Sequence, residues 1–167
     1  MPAHPTARID WIQARLMGWL RSQTIPGSPS IAEADEPSLA SLAGPWLRVT
    51  FDELAPVPVG RWDATTSAMR MSLVMSVEVF WPSSTEESSP VAFRQHVQAA
   101  SEIRSLMTFL RLSIEDYTTP ASPITVSDAV LSIQTAEMRR IPDTDGYRRR
   151  QVRAIVDWIA RFTDPFA

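Results

Sequence analysis

The chain has 167 residues, 44% hydrophobic and 21% charged, which suits one globular domain around a single core. It contains no cysteine, which excludes disulfides, thiolate nucleophiles and cysteine-ligated metal. The formal net charge of −3 gives the molecule as a whole no attraction to nucleic acid, although all 16 basic residues are arginine.

Residues 6–22 predict an amphipathic helix, because Ile9, Ile12, Leu16, Trp19 and Leu20 recur at three- and four-residue spacing. Asp10, Gln13, Arg15 and Arg21 interrupt any apolar run there, so no signal peptide is expected. No apolar stretch approaches the roughly 20 residues that cross a bilayer, and a soluble chain with no membrane partner is predicted. Residues 23–44 hold prolines, serines and the acidic group Glu33, Asp35 and Glu36, and read as a linker loop with a turn of helix near Leu39. Residues 45–53 then alternate: Leu47, Val49 and Phe51 point one way, Arg48, Thr50 and Asp52 the other. A long excursion over residues 54–68 carries Pro56, Pro58 and Gly60.

The strongest periodicity follows. Met69, Met71, Leu73, Met75, Val77, Val79 and Trp81 occupy successive odd positions, a strand with one face on the core that Pro82 stops. After a polar loop over residues 83–90, Phe93, Val97, Ala100, Ile103, Leu106, Met107 and Leu110 form a helical stripe. Residues 113–127 are turn-rich. Ala129, Leu131 and Ile133 begin a third strand running to Arg140, and Pro142, Asp143, Asp145 and Gly146 signal a turn. Residues 147–162 fit a strand or a helix; the tight turn before them and their β-branched residues favour a strand. The order is helix, strand, strand, helix, strand, strand. It predicts an α+β fold, a mostly antiparallel sheet packed against helices on one face. Residues 1–167 form one domain: an N-terminal helix within 1–22, the linker over 23–44, and a sheet-and-helix body over 45–162.

The templates of chemistry go unmatched. Of the two histidines, His4 lies near the start, and His96 has no second ligand at a metal-binding offset, so a surface or structural role is expected. Asp52 and Glu53 point to opposite faces of a strand, while Glu86–Glu87, Glu115–Asp116 and Asp143/Asp145 fall in predicted loops. Asp143-Thr144-Asp145-Gly146 lacks the downstream ligands of a calcium loop. No glycine-rich phosphate loop or G-x-S-x-G elbow occurs. No catalytic, cofactor-binding or metal site is predicted, and the chain is expected not to be an enzyme.

Two residue classes point to surfaces. Trp19, Trp81 and Trp158 fall on core faces, and Trp11 adjoins one; Trp46 lies on the polar side of its strand and Trp62 in a proline-flanked loop. Tryptophan and arginine are enriched in interface hot spots, so Trp46, Arg61 and Trp62 are candidate subunit or tube contacts. Arg139, Arg140, Arg148, Arg149, Arg150 and Arg153 flank one turn, either as a basic patch facing a partner or DNA, or as a solvated hairpin end.

The run Gly44-Pro45-Trp46-Leu47-Arg48-Val49-Thr50 resembles the first strand of the tail terminator, or tail completion, proteins of long-tailed bacteriophages and gene transfer agents. Val77-Glu78-Val79-Phe80 is similar to the family's "V-x-V-F" strand end, and Asp145-Gly146-Tyr147 to its "D-G-x-Y" turn. The likeness runs from about residue 6 to 162 in order and spacing, and it departs at the loop before the first strand and at residues 83–90. It implies a structural virion protein, a homo-oligomeric ring, typically a hexamer. Such a ring caps the tail tube and docks to the head–tail connector or neck, with DNA passing through its lumen. The corresponding location is the virion tail or a tail-like particle, assembled in the bacterial cytoplasm. Head-closure or another neck role, and a non-viral α+β adaptor or ligand-binding domain, are the alternatives.

Overall fold

The computed structural model describes residues 3–33, 44–83, 90–144 and 146–163. A 3-10 turn, Pro5–Ala7, leads into α1 (Ile9–Arg21). The strands are β1 (Ser30–Glu33), β2 (Trp46–Glu53), β3 (Val57–Arg61), β4 (Thr66–Pro82), β5 (Arg111–Asp116), β6 (Ile124–Arg140) and β7 (Tyr147–Thr163). Helix α2 (Pro90–Thr108) lies between β4 and β5.

This overturns the expected α+β fold of balanced helices and strands. Among the described residues strands predominate and form a single curled, mixed sheet, with two α-helices. The sheet order is β1-β2-β4-β7-β6-β5, and β3 pairs with β4 beyond the end of β2. All pairs are antiparallel except β1–β2.

The difference lies in three short strands of four to six residues that read as loop. β1 sits inside the expected linker and adds alongside β2, Ser30 opposite Trp46 and Glu33 opposite Val49. β3 contains Pro58 and Gly60, which read as loop, but it is an edge strand where proline is tolerated, and its register shifts between those two residues. β5 pairs with β6 across a register shift between Ser113 and Glu115. In each case pairing to a long neighbour overrides weak local propensity. The expected helical turn near Leu39 and the loop glutamates Glu86 and Glu87 lie outside the described residues.

β4 is the spine of the sheet. Paired with β2 and β3 on one side and β7 on the other, it runs for 17 residues, roughly 55 Å of extended chain. Its odd face carries Met71, Leu73, Met75, Val77, Val79 and Trp81 into one core cluster. Ile12, Leu16, Met17 and Leu20 of α1 and Ala99, Ala100, Ile103 and Met107 of α2 join that cluster. Val152, Ala154, Val156, Trp158 and Ala160 extend it along β7, which is a strand, as the preceding turn and its β-branched residues favour. The 3-10 turn is pinned to the end of β7: the Trp158 indole N–H donates to the Thr6 carbonyl at 2.8 Å, and the Arg161 backbone N–H donates to the Thr6 hydroxyl at 2.9 Å.

Candidate functional site

Three surfaces hold the residues that the sequence singles out. The first is the β3–β4 hairpin. Every residue of β3 is exposed, with Val57 at 54% and Val59 at 59%, and among the described residues no strand pairs with its outer edge. The connecting turn is closed by the Trp62 backbone N–H donating to the Thr66 carbonyl at 2.7 Å. Inside it the Asp63 carboxylate accepts from the Thr65 backbone N–H at 2.8 Å, which holds Asp63 below the usual carboxylate range. Trp62 is 47% exposed, and its ring faces the Arg161 guanidinium at the end of β7. Arg61 and Trp62 both lie exposed at the end of this hairpin, at the sheet's edge.

The second surface is the even face of β4 near the β6–β7 turn. Trp46 was expected to be exposed; instead it is 8% exposed. Its ring stacks on Phe80, centroids 4.0 Å apart and planes 7° from parallel, because β2–β4 pairing sets the two residues opposite each other. Tyr147 closes the group edge-on to both rings. Glu78, two residues before Phe80, accepts from Arg48 at 2.6 Å and from Arg149 at 3.0 Å. Both guanidiniums also lie over the Phe80 ring, at 5.3 Å and 5.0 Å from its centroid. Trp46 thus builds a largely covered cluster and is no free contact. The signal for it was available in the sequence as Arg48 and Glu78 at matching polar positions of two neighbouring strands.

The six arginines that flank the β6–β7 turn, read either as a basic patch or as a solvated hairpin end, are divided between two faces by the pleat of β6 and β7. Arg149 faces Glu78, and Arg139 donates to Gln151, itself opposite Glu78 in the β4–β7 register. Arg153 is exposed, opposite Glu137 and Ser76. Arg148 and Arg150 point to the opposite face, the side of Trp81 and Val79. There, with Arg140, Asp143 and His96 of α2, they line a cavity. Sequence reading assigned His96 a surface or structural place. The ring is 4% exposed, and burial, reinforced by the neighbouring Arg150 charge, pushes its pKa below the ordinary histidine value.

Among the described residues no group of three or more histidine, cysteine or acidic side chains is placed to hold a metal, and no helix is long and apolar enough to cross a membrane. In comparison with known proteins, no family model matches the chain and no curated protein is significantly similar to it.

Proposed function

We propose that the chain is a structural assembly subunit, a tail terminator whose copies form a ring that caps a tail tube and presents its other side to the head–tail connector. On this reading it is not an enzyme, and it works in the virion tail. The observation that carries it is the β3–β4 arm. Its exposed Val57, Val59 and Trp62 offer apolar side-chain contact to a partner, while Pro58 and the adjoining register shift blunt the edge itself against strand pairing.

A closed ring needs two different surfaces on each copy, one meeting the other on the neighbour. The side of the sheet that ends in β5 offers a second apolar exposure, with Phe109 at 86% and Ile124 at 69%. The resemblance of the Pro45-Trp46-Leu47-Arg48-Val49 strand and the Asp145-Gly146-Tyr147 turn to tail terminators supplies the biological setting. A head-closure component would share the ring but not bind the end of a tube.

Sedimentation velocity tests the contact. Trp62→Ala is expected to shift the assembly toward the 18.7 kDa monomer with circular dichroism unchanged. Equal sedimentation of the two proteins would count against the arm as the interface.

A further inference from the structure

The cavity beneath α2 has a composition that the fold alone does not require. Its volume is about 270 Å³, and its walls are His96, Arg140, Asp143, Arg148 and Arg150. His96 is 96% buried in effect, its exposure being 4%, and neither ring nitrogen has a hydrogen-bond partner among the described residues. The Arg149 backbone lies close enough to favour a protonated ring, yet no bond of acceptable geometry forms. The Arg150 Nε is likewise buried without a partner.

Unsatisfied buried polar atoms are rare and cost about 1–3 kcal/mol each. Here such atoms on two side chains belong to one basic cavity. Asp143 is the one carboxylate among the described lining residues, and it is only partly engaged there. It sits 3.8 Å from Arg140, beyond hydrogen-bond length, and accepts the Arg149 backbone N–H at 3.2 Å. The donors come from three directions: helix α2, the end of β6 and the start of β7. That arrangement suits a tetrahedral oxyanion more than a planar one, and guanidinium forks are the preferred partners of phosphate oxygens.

We propose that this cavity binds a phosphate oxyanion, whose oxygens accept from the Arg140 and Arg150 guanidiniums and from a ring N–H of His96. Asp143, already accepting the Arg149 backbone N–H, lowers the net positive charge of the cavity without occupying its donors. All three proposed donors belong to one copy of the chain, so the proposal does not rest on the ring assembly.

With only two histidines in the chain, His4 is an internal reference for His96. Imidazole NMR of the full chain, titrated with inorganic phosphate at constant ionic strength against chloride, reads the site directly. Saturable shifts of the His96 resonances with His4 unmoved are expected. Arg150→Gln is expected to weaken binding about tenfold or more, and the more exposed Arg140→Gln by less, the second variant serving if the first does not fold. Displacement of the phosphate by a short DNA duplex would identify the natural source as a nucleic-acid backbone; no displacement would identify a small phosphate, and either retains the site. Shifts of equal size with chloride, no saturation at tens of millimolar phosphate, or binding unchanged in both arginine variants would overturn it.

Discussion

The Arg161 guanidinium carbon sits 3.9 Å from the centroid of the Trp62 ring, tying the tip of the β3–β4 hairpin to the end of β7. The two residues are brought together because Ala68 of β4 is paired with Arg161 while the turn at Trp62 folds β3 back along β4. A cation held against an indole is worth about 0.5–1 kcal/mol at an exposed site. That is enough to preset the ring's orientation and reduce the entropy lost when a partner covers it.

It follows that Arg161→Ala is expected to weaken subunit association without removing any apolar contact area from Trp62. The melting temperature of the dissociated protein is expected to change by no more than a few degrees, since the pair is partly solvent-exposed. Sedimentation equilibrium on Arg161→Ala, Trp62→Ala and the double variant checks this. Strictly additive losses would show that the arginine does not act through the tryptophan.

Glu78 holds two arginines, Arg48 and Arg149, on the stacked Trp46–Phe80 pair. Its side chain is 13% exposed, so removing its charge strands two guanidiniums that are themselves largely covered. Glu78→Gln is expected to lower folding stability by about 2–3 kcal/mol. Urea unfolding measures the loss, and a change within 0.5 kcal/mol would contradict the role given to the carboxylate.

Two glycines are expected to respond in opposite directions to the same substitution. Gly27 has φ +81°, and a Cβ there would overlap the buried Trp81 indole. Gly27→Ala is expected to destabilise by about 1–3 kcal/mol. Gly18 lies inside α1 with nothing within 4 Å of an added Cβ, so Gly18→Ala is expected to stabilise by about 1 kcal/mol. Thermal melts of the two variants make the comparison.

Burial is the first cause that lowers the pKa of both His96 and His4, with nearby arginine charge the second. The unfolded chain binds protons at about pH 6.5 while the folded chain resists them, so stability is full above that pH and is lost as pH falls through it. The loss levels off only below the folded pKa values. His96→Gln is expected to flatten the slope of stability between about pH 6.5 and 5. At the alkaline end, burial and then the hydrogen bond to Glu115 push Tyr117 up to about 12, so stability falls again once pH rises past about 10.

The sequence was legible where side-chain period is long and local. The odd-position run from Met69 to Trp81 marks β4, and the three- and four-residue spacing of Ile12, Leu16 and Leu20 marks α1. It was not legible in β1, β3 and β5, where runs of four to six residues are too short to stand out from the loops around them and pairing to β2, β4 and β6 decides the conformation. That is why a four-stranded α+β fold was expected and a seven-stranded curled sheet is found. The surfaces follow the same rule. Trp62, in a turn, stands exposed as its proline-rich context suggests. Trp46 was misplaced because a nominally polar strand face becomes buried when a neighbouring strand sets Phe80 and two arginines against it. The six arginines are neighbours in sequence but separate across a pleat, and His96 reaches three of them only through the packing of α2 on β6 and β7.

The most direct measurement is electron microscopy of purified tail tubes mixed with the protein. The account predicts ring-shaped density, of subunit number typically six, seated at one end of each tube and missing when Trp62→Ala is used. Bare tube ends beside wild-type protein, or protein bound along the tube walls, would contradict it.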